Sequence, residues 1–223
     1  MTTAPPMSDL ERRLRAVPVP RSVLSRERMQ RLTDRQREIL TQLGQLFLDG
    51  FADLTMSEIA DRLNCSLRTL YGLAPSRDEL VLAVVDLHLW RVGREAMAAI
   101  EPDMAPLDAV RAYLAAATVA VSKTTEAYAR DLDAMPSAQR LGGVHADYVV
   151  AVTRTLLDMA VERGDIDDVD TVAVARTIAN LGRDFIRADV MPTLASPPKA
   201  AADAVVGIVL RGLQRFHPEP TKG

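Results

Sequence analysis

Three copies of one helix-start signature sit between residues 33 and 79 and limit what this part of the chain can become. Thr33-Asp34-Arg35-Gln36, Thr55-Met56-Ser57-Glu58 and Ser76-Arg77-Asp78-Glu79 each read S/T-x-x-E/Q. In such a capping box the hydroxyl accepts from the amide three residues on, and the Glu or Gln reaches back to the first amide. The segment from Ile59 to Tyr71 has room only for the end of one very short helix, a tight turn and another short helix. Short helix, turn, short helix, flanked by longer helices, is the plan of a helix-turn-helix DNA reader.

The rest of the chain supports a helical, globular protein. Hydrophobic residues make up 48% and charged residues 26%, which argues against wholesale disorder. Aromatics are only 4%, while alanine, leucine and valine are plentiful, a balance that favours helix over sheet. The single cysteine, Cys65, excludes a disulfide framework and a cysteine-rich zinc site. No secretory signal is visible, and no stretch reaches the roughly 18 uncharged apolar residues needed to span a membrane. The cytoplasm is the expected compartment.

A net charge of −3 hides an uneven distribution. Residues 1–37 hold nine arginines against four acidic residues, a balance of +5, whereas residues 95–223 hold 13 basic and 18 acidic residues, a balance of −5. Phosphate contact is therefore expected at one end only. Pro5, Pro6, Pro18 and Pro20 break any long helix in residues 1–20, which read as a mostly flexible arm. Ser22 to Arg31 reads as a short helix or an extension into the first long one.

From Thr33 the pattern sharpens. Ile39, Leu40, Leu43, Leu46 and Phe47 form an apolar stripe, stopped at Gly50. Thr55 caps a helix whose Ile59, Ala60 and Leu63 face inward. Asn64 occupies the turn, because asparagine tolerates a left-handed backbone. Ser66 caps a helix carrying Leu67, Leu70 and Tyr71, which Pro75 closes. Ser76 starts a helix to about Ile100, apolar on nearly all sides from Leu80 to Val92 and hence buried against more than one partner. No charged residue in it is read as standing alone. Further helices are expected near 106–122, 124–134, 138–163, 168–191 and 198–215, with no sheet.

Residues 33–90 resemble the N-terminal domain of the TetR family of bacterial transcriptional regulators. The resemblance is carried by Ile39-Leu40, Leu46-Phe47, Gly50, Thr55-Met56-Ser57-Glu58-Ile59-Ala60, Ser66-Leu67-Arg68-Thr69-Leu70-Tyr71 and Pro75-Ser76-Arg77-Asp78-Glu79-Leu80. It covers about a quarter of the chain. Two segments depart from the family pattern: Asn64-Cys65 replaces a glycine and an aliphatic residue, and Gly72-Leu73-Ala74 replaces a polar residue and an aromatic pair. After the arginine-rich flexible arm (1–32), which is longer than the family usually needs, the resemblance implies an all-α chain: a three-helix helix-turn-helix DNA-binding domain (33–78), and a long helix leading into a helical sensor and dimerisation domain (79–223).

The DNA-binding residues expected from this are Thr55, Ser66, Arg68, Thr69, Tyr71, Leu73, Ser76 and Arg77. The hydroxyls of Thr55, Thr69, Tyr71 and Ser76 suit phosphate oxygens, and Arg77 lies in the first turn of a helix, where free amides favour an anion. Arg68 either pairs with guanine O6 and N7 or contacts phosphate. Leu73 is a candidate for a thymine methyl. Tyr71 either wets its hydroxyl at the phosphates or packs its ring in the core. The arm either follows phosphates and a minor groove or stays disordered. Cys65 reads as a small packing residue.

For the second half, the resemblance implies a homodimer and a small-molecule effector. Ile178, Gly182, Phe185, Val205, Ile208 and Gly212 are the expected dimer contacts, on two helices that small residues allow to approach closely. Trp90, Met104, Tyr113, Tyr128, Met135, His145 and Tyr148 combine apolar bodies with polar tips and are the candidate effector contacts, against plain core packing. The function expected is that of a ligand-responsive regulator, a repressor, on a roughly palindromic operator in double-stranded DNA. The alternative is a dimeric helical adaptor, or a regulator, whose effector is another protein. No catalytic motif is present: there is no G-x-S-x-G, H-E-x-x-H or glycine-rich phosphate loop, and His88, His145 and His217 lack ligand spacing. No cofactor, metal or catalytic residue is expected. Asp170, within an acidic cluster, reads as a helix cap.

Overall fold

The computed structural model describes residues 7–119 and 124–214, and its regular structure is helical. Eleven α-helices follow in order: α1 Asp9–Ala16, α2 Arg26–Arg31, α3 Asp34–Leu46, α4 Met56–Arg62, α5 Leu67–Leu73, α6 Arg77–Ala98, α7 Pro106–Ala117, α8 Glu126–Asp133, α9 Pro136–Glu162, α10 Thr171–Phe185 and α11 Pro198–Leu213. The only β pairing among the described residues is an isolated bridge between Ile166 and Gln214. The helix expected over 168–191 stops at Phe185, and Asp170 caps it as read. Residues 120–122 and 215 of the expected helices lie outside the described residues.

Capping decides where several of these helices begin. The boxes at Thr33 and Thr55 close reciprocally, with Gln36 and Glu58 returning bonds to the cap amides. At Ser76 only half the box forms: the hydroxyl accepts from Glu79 N at 3.2 Å.

A fourth box overturns the expected arm. Ser8 N donates to Glu11 Oε2 at 2.9 Å and Glu11 N to Ser8 Oγ at 3.2 Å, starting α1. Leu10, Leu14 and Val17 are buried in the core of the C-terminal half. Arg13 makes a two-pronged bond to Glu162 at the end of α9, at 2.8 and 2.6 Å. The chain then crosses α6, and Leu24 and Leu32 enter the N-terminal core. Residues 7–32 are therefore a strap across both halves, because their apolar positions find buried partners. Residues 1–6 of the expected arm lie outside the described residues.

Two cores result. One collects α3, α4, α5, the first half of α6 and Tyr128 of α8; the other collects α1, α7, α9, α10 and α11 with Ala96 near the end of α6. Helix α6 belongs to both. It buries Leu80, Val81, Ala83, Val84 and Val85 at one end and Ala96 at the other, as its all-round apolar pattern required. Burying five such side chains on one helix fixes its position against α3, α4 and α5.

Candidate nucleic-acid interface and sensor core

The interface is built on a turn that only a few residue types tolerate. Helix α4 turns Ile59 and Ala60 inward, with Leu63 half-buried. Asn64 then adopts φ 47°, the left-handed conformation expected of it, and the Cys65 amide reaches back to Ala60 O at 2.9 Å. Arg35, from the first turn of α3, donates to Leu63 O and Asn64 O at 3.2 and 3.3 Å. Its charge sits at the carbonyl end of α4, where a cation is favoured. Cys65 is half-buried and burial raises its thiol pKa, which suits a packing residue.

Helix α5 has two unlike faces. Leu70 and Leu73 are buried at 0% and 1%, anchoring the helix in the core it shares with α3, α4 and α6. Leu67 and Tyr71 are exposed at 42% and 52%, with Arg68 exposed beside them. Leu73, expected to face a base, is thus core, because it falls three residues after Leu70 on the same helix face. The side chain in the outward position is Leu67. The Tyr71 ring stays outside the core, which leaves its body and hydroxyl available.

Several expected phosphate contacts are already engaged. The Ser66 hydroxyl accepts from Thr69 N at 3.1 Å and lies 2.8 Å from Thr69 Oγ1. Thr55 Oγ1 donates to Glu58 Oε2 at 2.7 Å. Arg77 turns away from solvent, donating to the carbonyls of Phe51, Ala52 and Leu54, the last two at 2.7 and 2.6 Å. Its guanidinium clamps the loop before α4, so the expected phosphate role is replaced by a structural one. Arg28 of α2 reaches Gly72 O at 3.4 Å and brings the strap's positive charge to the end of α5. The sequence reading missed Leu67, Arg28 and Arg35; the i, i+4 pairing of Leu67 with Tyr71, opposite Leu70 and Leu73, was the available signal.

The same loop is held from the other domain. Gly50 has φ 99°, and a Cβ there would meet Asp131 Oδ2 at 3.2 Å and Ala127 Cβ at 3.3 Å. Asp131, buried on α8, accepts from Phe51 N and Ala52 N at 2.5 and 2.8 Å. Thr125 donates to Leu48 O, and Tyr128 packs edge-on to Phe51 with ring centres 5.8 Å apart. Helix α8 therefore holds the loop that leads into α4.

Comparison with known proteins agrees with this geometry. Residues 44–84 match the family model of bacterial regulatory proteins of the tetR family. Residues 44–84 are therefore a TetR-family N-terminal domain. The matched residues run from α3 into α6 and contain the turn and both reading helices. Members of this family are transcriptional regulators and not enzymes. Among solved structures, a tetR-family regulatory protein from Rhodococcus RHA1 is similar at 22% identity and TM-score 0.62, covering 83% of this chain and 100% of its own. A TetR regulator from Haloarcula marismortui gives 18% and 0.65, covering 82% and 100%. The regulator PfmR from Thermus thermophilus gives 21% and 0.58, covering 79% and 99%. At such identities the likeness establishes the fold. No curated protein matches the chain.

Beyond this domain, α6 holds a buried carboxyl group that the sequence reading overlooked. Asp86, fully buried in the apolar run of α6, places Oδ1 2.8 Å from His145 Nε2 of α9. Its Oδ2 accepts from Ser22 Oγ and Val23 N of the strap, both at 2.8 Å. The Trp90 ring stands edge-on to His145 with centres 5.6 Å apart.

The seven candidate effector residues do not form one group. Trp90 and His145 adjoin Asp86 on α6 and α9. Tyr113 is buried in the C-terminal core, with Met104 and Tyr148 packed against that core. Tyr128 and Met135 instead belong to the N-terminal core, and burial pushes the Tyr128 hydroxyl up to about 12. Tyr128 also lines a cleft of about 430 Å³ between α3, α6 and α8. These last two residues thus lie in the other core from Tyr113, Met104 and Tyr148.

The candidate dimer residues also divide. Ile208 is 61% exposed and Gly212 is exposed on α11, with Ala204 on the same row; Val205 and Phe185 are half-buried. Ile178 at 2% and Gly182 are buried within the protomer, because α10 packs this face on α9 and α11. They cannot meet a partner directly. No described helix is long and apolar enough to cross a membrane.

Proposed function

We propose that this TetR-family chain is a repressor that binds a roughly palindromic operator as a homodimer and is released by a small hydrophobic or amphipathic effector. The observation that carries the reading is the division of α5: Leu70 and Leu73 anchor it while Leu67, Arg68 and Tyr71 face outward. This suits a helix lying in a major groove, with Arg68 toward guanine, Leu67 toward a thymine methyl and Tyr71 toward the backbone. Thr55, Ser66, Thr69 and Ser76 stand at its edges as positioning groups. As a DNA reader it acts in the cytoplasm.

The exposed row Ala204, Ile208 and Gly212 is the proposed centre of the dimer contact. Two such faces related by a two-fold axis would place two α5 helices on half-sites a turn or more apart. The effector acts on the sensor core around Trp90, Tyr113, His145 and Tyr148, with Met104 beside it. It works by differential affinity for two arrangements of α6 and α8, the helices that hold the 50–54 loop. The test is footprinting on the DNA upstream of the chain's own gene, followed by Leu67→Ala and Arg68→Ala. Loss of sequence preference in these variants, with the fold intact, supports the reading; unchanged preference removes it.

A further inference from the structure

Trp90 Nε1, Tyr113 Oη and Thr153 Oγ1 are buried and have no hydrogen-bond partner among the described residues. Buried donors are rarely left this way, because each loses its bonds to water without replacement. The three come from α6, α7 and α9, which pack on one another. Thr153 belongs to α9 itself, and each of the other two neighbours an α9 side chain, which makes α9 the common wall of the strip. Trp90 stands against His145 at 5.6 Å between ring centres, and Tyr148 lies one helical turn beyond His145. Tyr113 is raised far above the ordinary tyrosine value, first by burial and then by the neighbouring Tyr148 phenol. It therefore keeps its proton and remains a donor, as the Trp90 indole always is.

The strip offers one obligate donor, the Trp90 indole, and two hydroxyls, with no buried lysine or arginine and no unengaged carboxylate beside them among the described residues. The buried polar and charged residues among those described are Asp86, Thr118, Asp131, His145 and Thr153, with no lysine or arginine. Asp86 is already bonded to Ser22, Val23 and His145. An anionic headgroup would find no buried lysine or arginine, and an ammonium would find the neighbouring carboxylate already engaged by three partners. Apolar neighbours such as Val110, Leu114, Val152 and Leu156 supply the rest of the surroundings.

We propose that this strip takes an uncharged, mainly apolar molecule bearing carbonyl or ether oxygens, which accept from Trp90, Tyr113 and Thr153. The assignment rests on the reading of the chain as an effector-released regulator and names the chemical class of that effector. Because the donors are sealed from solvent, the ligand enters by parting α6 and α7 from α9, the movement that would reach the DNA-reading helices.

Trp90 is the only tryptophan, so its emission reports on this strip directly. The experiment titrates the full chain with methyl esters of eight- to sixteen-carbon saturated acids, the matching free acids and the matching alkylamines. The best ester should shift Trp90 emission with a Kd at least about tenfold below that of its acid or amine. Tyr113→Phe and Thr153→Val should each weaken that ester by about three- to tenfold, while raising the melting temperature of the ligand-free protein by removing an unpartnered hydroxyl. An acid or amine that binds as well as the ester overturns the assignment. So does the absence of any ester response, or ester affinity unchanged in both variants. Binding of the same samples to upstream DNA separates the two claims: DNA binding without ester binding sinks only the ligand class, whereas loss of DNA binding sinks the regulator.

Discussion

His145 Nε2 lies 2.8 Å from Asp86 Oδ1, and this pair joins two helices whose residues are 59 positions apart in sequence. The other oxygen of the same carboxylate holds the strap at Ser22 and Val23. One buried side chain thus ties α6, α9 and the N-terminal strap together. Replacing it leaves an imidazole and a backbone amide buried without their acceptor. Asp86→Ala should cost about 3 kcal/mol in denaturant unfolding, the usual scale for breaking a buried pair. Hydrogen exchange should rise at Val23 and along α1. A loss below about 1 kcal/mol would mean that the carboxylate is not the tie described.

The strap makes a second prediction, which reverses what a flexible basic arm would give. Arg12 and Arg13 are paired with Asp9 and Glu162, and Leu10, Leu14 and Val17 are buried. Deleting residues 1–21 should therefore lower the melting temperature strongly and leave the slope of log Kd against log salt nearly unchanged. A flatter slope with unchanged melting would restore the arm as a phosphate contact.

The docking of α1 should depend on pH. The hydrogen bond from Arg13 holds Glu162 below its ordinary value of 4.5, and the bond from Arg12 does the same for Asp9. A lowered carboxylate contributes fully above its unfolded value and loses that contribution as pH falls through the folded one. Protection of the α1 amides from hydrogen exchange should thus be constant near neutrality and fall below about pH 4.5. In Glu162→Gln the fall should be smaller. Equal protection at about pH 7 and about pH 3.5 would show that packing alone docks the helix.

Leu67 and Leu73 should respond in opposite ways. Leu73→Ala opens a void in the core and should cost about 2–5 kcal/mol in stability. Leu67→Ala should change stability by less than about 0.5 kcal/mol, as surface changes do. The Leu67 variant should lose discrimination at one base pair, worth about 1–3 kcal/mol. The reverse pattern would mean that α5 is rotated from the orientation described.

These cases show what the sequence made readable. Thr33, Thr55 and Asn64 act through near neighbours, so their caps and the left-handed turn could be read from local spacing. The Ser8–Glu11 box was equally local, but the prolines around it suggested disorder. Asp86 was hidden because its partners lie 59 to 64 residues away and its neighbours on α6 are apolar. Tyr128 and Met135 read as sensor residues from their types; only the packing of the folded chain places them in the N-terminal core, with Tyr128 against Phe51. Arg77 fits a phosphate contact by position, and nothing in its local sequence shows the three carbonyls that occupy it.

The most direct measurement is the salt dependence of binding of the purified chain to fragments of its own upstream DNA, combined with a footprint. The expected result is one preferred fragment, an approximately symmetric footprint sized for a dimer, and affinity that falls steeply with salt, with a log–log slope of about 0.9 for each phosphate neutralised. Weak binding that is blind to sequence would contradict the proposed reading of α5 and turn the search toward a protein partner.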